Sequence, residues 1–150
     1  MPTNLLRKAP QPKQAGGPKL PPDAGAPRRA SLEISGRRFE IVLHDTPTAH
    51  VMWRALPLFA VGETWGESLH FEVPVRAGRD RTARLNGRPG ELYFWADDAR
   101  IVLVWGPTPI SCAHEIRLMR PCNVWGHTDD DLSVLSGIVP GAKVALRRTA

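Results

Sequence analysis

The chain has 150 residues, with 20 Lys plus Arg against 15 Asp plus Glu, 42% hydrophobic and 7% aromatic residues, and two cysteines. No apolar run approaches the roughly 18 residues that a membrane span needs, and neither a secretory nor a twin-arginine leader is expected, because no apolar stretch follows the early basic residues. Two thiols without a Cys-x-x-Cys pair exclude a disulfide framework, and a cytoplasmic location is expected.

Residues 1–29 hold six basic residues (Arg7, Lys8, Lys13, Lys19, Arg28, Arg29) and one acid, Asp23, while residues 30–150 carry fourteen of each sign. The net charge of +5 therefore belongs to the first segment. That segment has seven of the fifteen prolines and no aromatic residue, too little apolar surface to offset the entropy of ordering. A disordered basic, Pro-rich tail over 1–29 is predicted, followed by one domain over 30–150. Nucleic acid is not the expected partner of this tail, since spaced charges without interleaved aromatics bind weakly.

Along the domain, Ser31 to Leu43 forms two alternating runs around Gly36-Arg37 and predicts a β-hairpin. Asp45-Thr46-Pro47-Thr48 then offers capping side chains and a proline suited to a first helical turn, ahead of Ala49, Met52, Trp53 and Leu56 at helical spacing. One short helix is predicted, stopped near Pro57, with His50 and Arg54 on its wet face. Short extended runs follow at Leu58–Val61, Leu69–Val75, Glu91–Trp95, Ile101–Trp105, Glu115–Met119 and Lys143–Arg147, punctuated by Gly and Pro. About eight strands and one helix predict an all-β fold, a small closed barrel that hides its strand edges. Asp129-Asp130-Asp131-Leu132 opens either a single helical turn toward Leu135 or a solvated acidic turn.

Three of the five tryptophans precede glycine: Trp65-Gly66, Trp105-Gly106 and Trp125-Gly126. An indole at a strand end beside a residue without a side chain leaves room for another backbone or for a ligand. Such indoles either line the mouth of a barrel or plug its end. Glu67, two residues after Trp65, is the candidate general acid or base, because an indole wall would disfavour its charged form. Thr108, held between two prolines, offers a hydroxyl in a rigid loop. Cys112, His114, Cys122 and His127 are the one constellation with zinc-type ligands, but their spacing fits no standard finger and no metal is expected. His44 and His70 read as turn or surface histidines. No Ser-His-Asp order, Walker-type loop or dinucleotide glycine pattern occurs, so no cofactor is expected.

Several segments occur in an order that carries a resemblance: Asp45-Thr46-Pro47-Thr48-Ala49, Leu56-Pro57-Leu58, Trp65-Gly66-Glu67, Phe71-Glu72-Val73-Pro74-Val75, Gly90-Glu91-Leu92, Gly106-Pro107-Thr108-Pro109-Ile110-Ser111 and Asn123-Val124-Trp125-Gly126. The chain resembles the small prokaryotic cyclophilin-like domain family over nearly all of residues 31–148. This implies a cyclophilin-type barrel of about eight strands with little helix. It does not imply prolyl isomerase activity, because neither the Phe-His-Arg nor the Gln-Gly-Gly-Asp segment of true isomerases is present. The chain departs from the family pattern at Phe94-Trp95-Ala96-Asp97-Asp98, and at Trp105 and Trp125, where relatives more often carry Phe and an aliphatic residue.

These readings lead to a binding module for a small molecule or short peptide, at a barrel mouth lined by Trp65, Glu67, Thr108, Asn123 and Trp125. Fold-level similarity to cyclophilin-like subunits of oxoprolinase-type enzymes gives a second reading, an enzyme acting on an amide or lactam through Glu67. Nucleic-acid association through the tail is a third. A homodimer is compatible with the sequence, which has no residue pattern that decides it.

Overall fold

The computed structural model describes residues 27–149, and the disorder expected for the earlier residues therefore falls outside the described residues. Ten strands are present among them: β1 (Arg28–Ile34), β2 (Arg37–Leu43), β3 (Leu58–Val61), β4 (Glu63–Thr64), β5 (Ser68–Glu72), β6 (Arg84–Asn86), β7 (Glu91–Trp95), β8 (Arg100–Val104), β9 (Arg117–His127) and β10 (Lys143–Arg148). A single helix, α1 (Pro47–Ala55), separates β2 from β3, and a 3-10 turn spans Leu132–Leu135. The first strand starts earlier than the expected domain boundary. Arg28 and Arg29 pair with Leu43 and Val42, so they belong to the sheet rather than to the tail.

The sheet runs in the order β3-β10-β1-β2-β9-β7-β8-β5-β4, with β6 paired to β9 off this path. Its two ends, β3 and β4, are neighbours in sequence, separated only by Gly62. One bent segment thus serves both edges, and the sheet curls into a nearly closed barrel. The Gly62 amide donates to the Ala142 carbonyl at 2.7 Å and its own carbonyl accepts from Gly141 at 2.9 Å. A Cβ there would stand 2.8 Å from Leu69 Cδ1, so the buried Leu69 side chain would have to shift to admit one.

The hairpin β1–β2 turns at Ser35 and Gly36, both with positive φ (48° and 85°), the backbone that a two-residue connection between twisted strands demands. Helix α1 begins where predicted: the Thr46 hydroxyl accepts from the Ala49 amide at 3.1 Å and Pro47 occupies the first turn. It lays Ala49 and Met52 onto the barrel core. The long strand β9 tolerates Pro121 because its pairing with β6 is irregular between Arg117 and Cys122, where no ladder bond is required. Asp131 caps the 3-10 turn by accepting from the Ser133 amide at 2.9 Å.

The barrel interior is filled by Leu32, Ile34, Phe39, Ile41, Leu69, Phe71, Leu92, Phe94, Ile101, Leu103, Trp125 and Leu146. Alternate residues of β7 and β8, Tyr93, Val102 and Val104, face outward into a second cluster with Leu118, Cys122 and Val124. Both faces of these two strands are buried. That explains why Glu91–Trp95 and Arg100–Val104 read as continuous apolar runs instead of alternating ones.

Candidate functional site

The turn between β4 and β5 carries Trp65, Gly66 and Glu67, and it is fastened to the end of β8 by two backbone bonds. The Glu67 amide donates to the Pro107 carbonyl and the Trp105 amide donates to the Glu67 carbonyl, each at 3.0 Å. Gly66 has φ +62°, and a Cβ there would meet the Pro107 carbonyl oxygen and Thr108 Cα at 2.9 Å. At Gly106 the space goes to a side chain: Glu67 Oε1 would lie 2.7 Å from a Cβ. Gly126 admits the Val42 carbonyl at 2.8 Å. The glycines of all three Trp-Gly pairs therefore serve close approach, each by a different neighbour.

Between this turn, Trp105 and the residues after the 3-10 turn lies a recess of about 390 Å³, lined by Thr64, Gly66, Glu67, Trp105, Ser136, Gly137 and Ile138. Glu67 is exposed, and the indole that shares the recess with it is that of Trp105 and not that of Trp65. Trp105 is partly buried, and its Nε1 is shut away from solvent without a hydrogen-bond partner. An indole N–H in that state lacks the acceptor that buried donors ordinarily have. Glu67 is the one ionisable side chain among the lining residues, accompanied by the hydroxyls of Thr64 and Ser136. The chemistry available is a carboxylate that accepts hydrogen bonds, two hydroxyls and an aromatic wall.

The other expected site residues are placed elsewhere. Trp125 is fully buried in the barrel core, its Nε1 donating to the Tyr93 carbonyl at 3.2 Å. Asn123, also buried, ties three segments together: its Oδ1 accepts from the Asp80 amide at 2.9 Å, and its Nδ2 donates to Thr48 Oγ1 at 2.8 Å and to the Gly78 carbonyl at 2.9 Å. Asp80 completes that knot. Burial favours its neutral form, but hydrogen bonds from Thr82 and Thr48 outweigh it and hold the carboxyl below its usual range. Thr108 is buried and donates its hydroxyl to the Arg117 carbonyl, while its amide and that of Arg117 both donate to Ser111 Oγ at 2.9 Å. Trp65 is partly buried and outside the recess lining. Of the five residues, Glu67 alone lines the recess.

The zinc-type constellation is not assembled. Cys122 lies in the second core cluster, its thiol pushed up to about 12 by burial, whereas Cys112 is exposed. His127 is hydrogen-bonded to His44 instead. Among the described residues, no group of three or more His, Cys, Asp or Glu side chains converges as a metal site would require. The His44–His127 pair has no counterpart in any sequence motif. It stands beside Glu91, which binds Arg84 and accepts from the Tyr93 hydroxyl, at 2.6 Å in the latter case. A larger, mainly apolar groove of about 830 Å³ runs over the outer face of β3, β10 and β1 past Phe59, Val61 and Val139, with Glu33 and Lys143 as its charged lining residues.

A small, nearly closed barrel with one helix and a single-carboxylate recess defines a compact all-β domain with the architecture of a cyclophilin. The family model for cyclophilin-like proteins matches residues 28–147, and the chain belongs to that family. A solved relative is the solution structure of a hypothetical protein from Archaeoglobus fulgidus, 25% identical, which superposes with a TM-score of 0.71 over 82% of this chain and 95% of its own. No curated protein matches the chain. Among the described residues, no helix is long and apolar enough to cross a membrane.

Proposed function

We propose that this domain is a cytoplasmic binding module that takes a small molecule, or the end of a short peptide, in the recess between the Trp65–Glu67 turn, Trp105 and Ser136–Ile138. The supporting observation is that the half-buried Trp105 side chain and the exposed carboxylate of Glu67 line one recess. A ligand that carries a hydrogen-bond donor meets Glu67, and its apolar part covers the Trp105 ring. Isolation of Glu67 from any second ionisable side chain in the lining favours binding over acid–base turnover, which ordinarily employs a positioned partner. Two free cysteines, one of them exposed, suit a reducing compartment.

Native mass spectrometry of the purified full chain, followed by a thermal-shift screen of small amides, amines and short peptides, tests this reading. Ligands are expected to be retained or stabilising in the parent chain and to lose that effect in Glu67→Gln and Trp105→Phe. Binding unaffected by both substitutions would move the site away from the recess.

A further inference from the structure

We infer that the corner of the barrel around Trp53 is a docking surface for single-stranded nucleic acid. Trp53, on the outer side of α1, is approached by two guanidinium groups. Arg28 Cζ lies 5.5 Å from its ring centroid and Arg148 Cζ lies 4.6 Å from it. Arg148 also donates through Nε and Nη2 to the Trp53 carbonyl, at 3.1 and 2.7 Å, which fixes its position. Arg28 Nη1 is 3.0 Å from His50 Nδ1, and Arg54 sits one helical turn beyond His50 and is exposed.

Two further facts separate this corner from an ordinary solvated face. Arg28, Arg54 and Arg148 form no ion pair with a carboxylate among the described residues, although neighbouring Arg29 and Arg147 are paired with Glu40 and Glu33. In addition, the sequence before Arg28 contains Arg7, Lys8, Lys13 and Lys19 against Asp23, a surplus of positive charge joined covalently to the strand that starts at Arg28. That stretch of sequence has no aromatic residue, whereas Arg28 lies over the Trp53 ring. Guanidiniums held close together around one ring repel each other, and a chain of phosphates relieves that repulsion while matching their planar forks. Bases exposed on a single strand stack against the planar guanidinium faces that cover the indole, which the paired bases of a duplex cannot do. An acidic peptide would bring charge without stacking. A membrane surface would require an apolar wedge, and Trp53 is partly buried with guanidiniums against its ring.

Fluorescence anisotropy of a labelled single strand of about 20 nucleotides, titrated with the full chain at low and moderate salt, tests the inference. Expected are affinity that falls steeply with salt, preference for the single strand over a duplex of equal length, and about tenfold weaker binding in Arg54→Glu with a salt slope lower by about one. Arg37→Glu, at the far end of the β1–β2 hairpin, is the charge-matched control and should change affinity less than about twofold. Equal losses in the two variants, equal affinity for the duplex, competition by polyglutamate as strong as by the oligonucleotide, or no binding at low salt would each overturn it.

Discussion

His44 Nε2 and His127 Nδ1 lie 2.8 Å apart, with their ring centroids separated by 5.1 Å. A nitrogen-to-nitrogen hydrogen bond needs one donor and one bare acceptor, so the contact survives with one imidazolium but not with two. Burial, and then the charge on His127, lower the His44 pKa; burial, and then Arg100, lower that of His70. Both groups are harder to protonate in the folded chain than in the unfolded one. Stability is therefore full above the unfolded value near 6.5 and falls as the pH drops through and below it. Urea denaturation at pH 8 and pH 5 should show the loss, and His44→Gln should reduce the slope while leaving the His70 contribution. An unchanged slope in that variant would remove the pair from the pH response.

Asn123 gives a sharper expectation for stability. Its amide satisfies the Asp80 amide, the Thr48 hydroxyl and the Gly78 carbonyl at once. Asn123→Ala strands the buried Thr48 hydroxyl and removes the partner of the half-buried Asp80 amide, and should cost roughly 1–3 kcal/mol. Chemical denaturation measures it, and a loss below about 0.5 kcal/mol, the usual range for surface changes, would contradict the knot described above.

Gly66 lines the recess and Gly106 packs against the Glu67 side chain, yet alanine should act differently at the two. Gly66→Ala meets positive φ and the backbone of Pro107 and Thr108, and a cost of roughly 1–3 kcal/mol is expected. Gly106→Ala meets the Glu67 side chain, whose carboxylate can swing away but whose Cβ, 3.0 Å from the added carbon, must give by a few tenths of an ångström. A smaller stability loss than for Gly66→Ala is expected, together with weaker ligand binding at the recess. Comparison of melting temperatures with ligand affinities for both variants checks the contrast.

Ser111 accepts from two backbone amides, those of Thr108 and Arg117. Ser111→Ala leaves both without that partner, and a loss of about 1–2 kcal/mol is expected, together with faster amide exchange in the Gly106–Arg117 loop. Unaltered exchange would show that the loop is held by other contacts.

Much of the barrel was legible because its strands carry their own boundaries. Leu58–Val61 and Glu91–Trp95 coincide with the predicted runs, the first preceded by Pro57 and the second by Gly90. The two-residue β4 and the three-residue β6 were not, since neither is long enough to express a period and both are made of largely exposed residues. β9 was read as a strand ending before Pro121, because the irregular pairing that accommodates this proline is a property of two strands together. At the site, the Trp-Gly repeat drew attention to Glu67 and contained Trp105, which was not among the five candidate residues. It could not separate Trp105 from Trp125, because only the register with β7 sends the latter into the core. Ser136, Gly137 and Ile138 reach the recess from some 70 residues further along the chain, and His44 meets His127 across 83 residues. Contacts of that span leave no local mark.

The segment from Leu58 to Thr64 holds both margins of the sheet, hinged at Gly62. Release of this one strap would bare two hydrogen-bonding rims at the same moment, one on β10 and one on β5. A molecule opened there would be adhesive on two sides, able to accept a neighbour's strand at one rim while offering the other onward. A protease cut at Gly62 is thus expected to yield chains that grow end to end, whereas a cut in the loop between β9 and β10 leaves the strap in place.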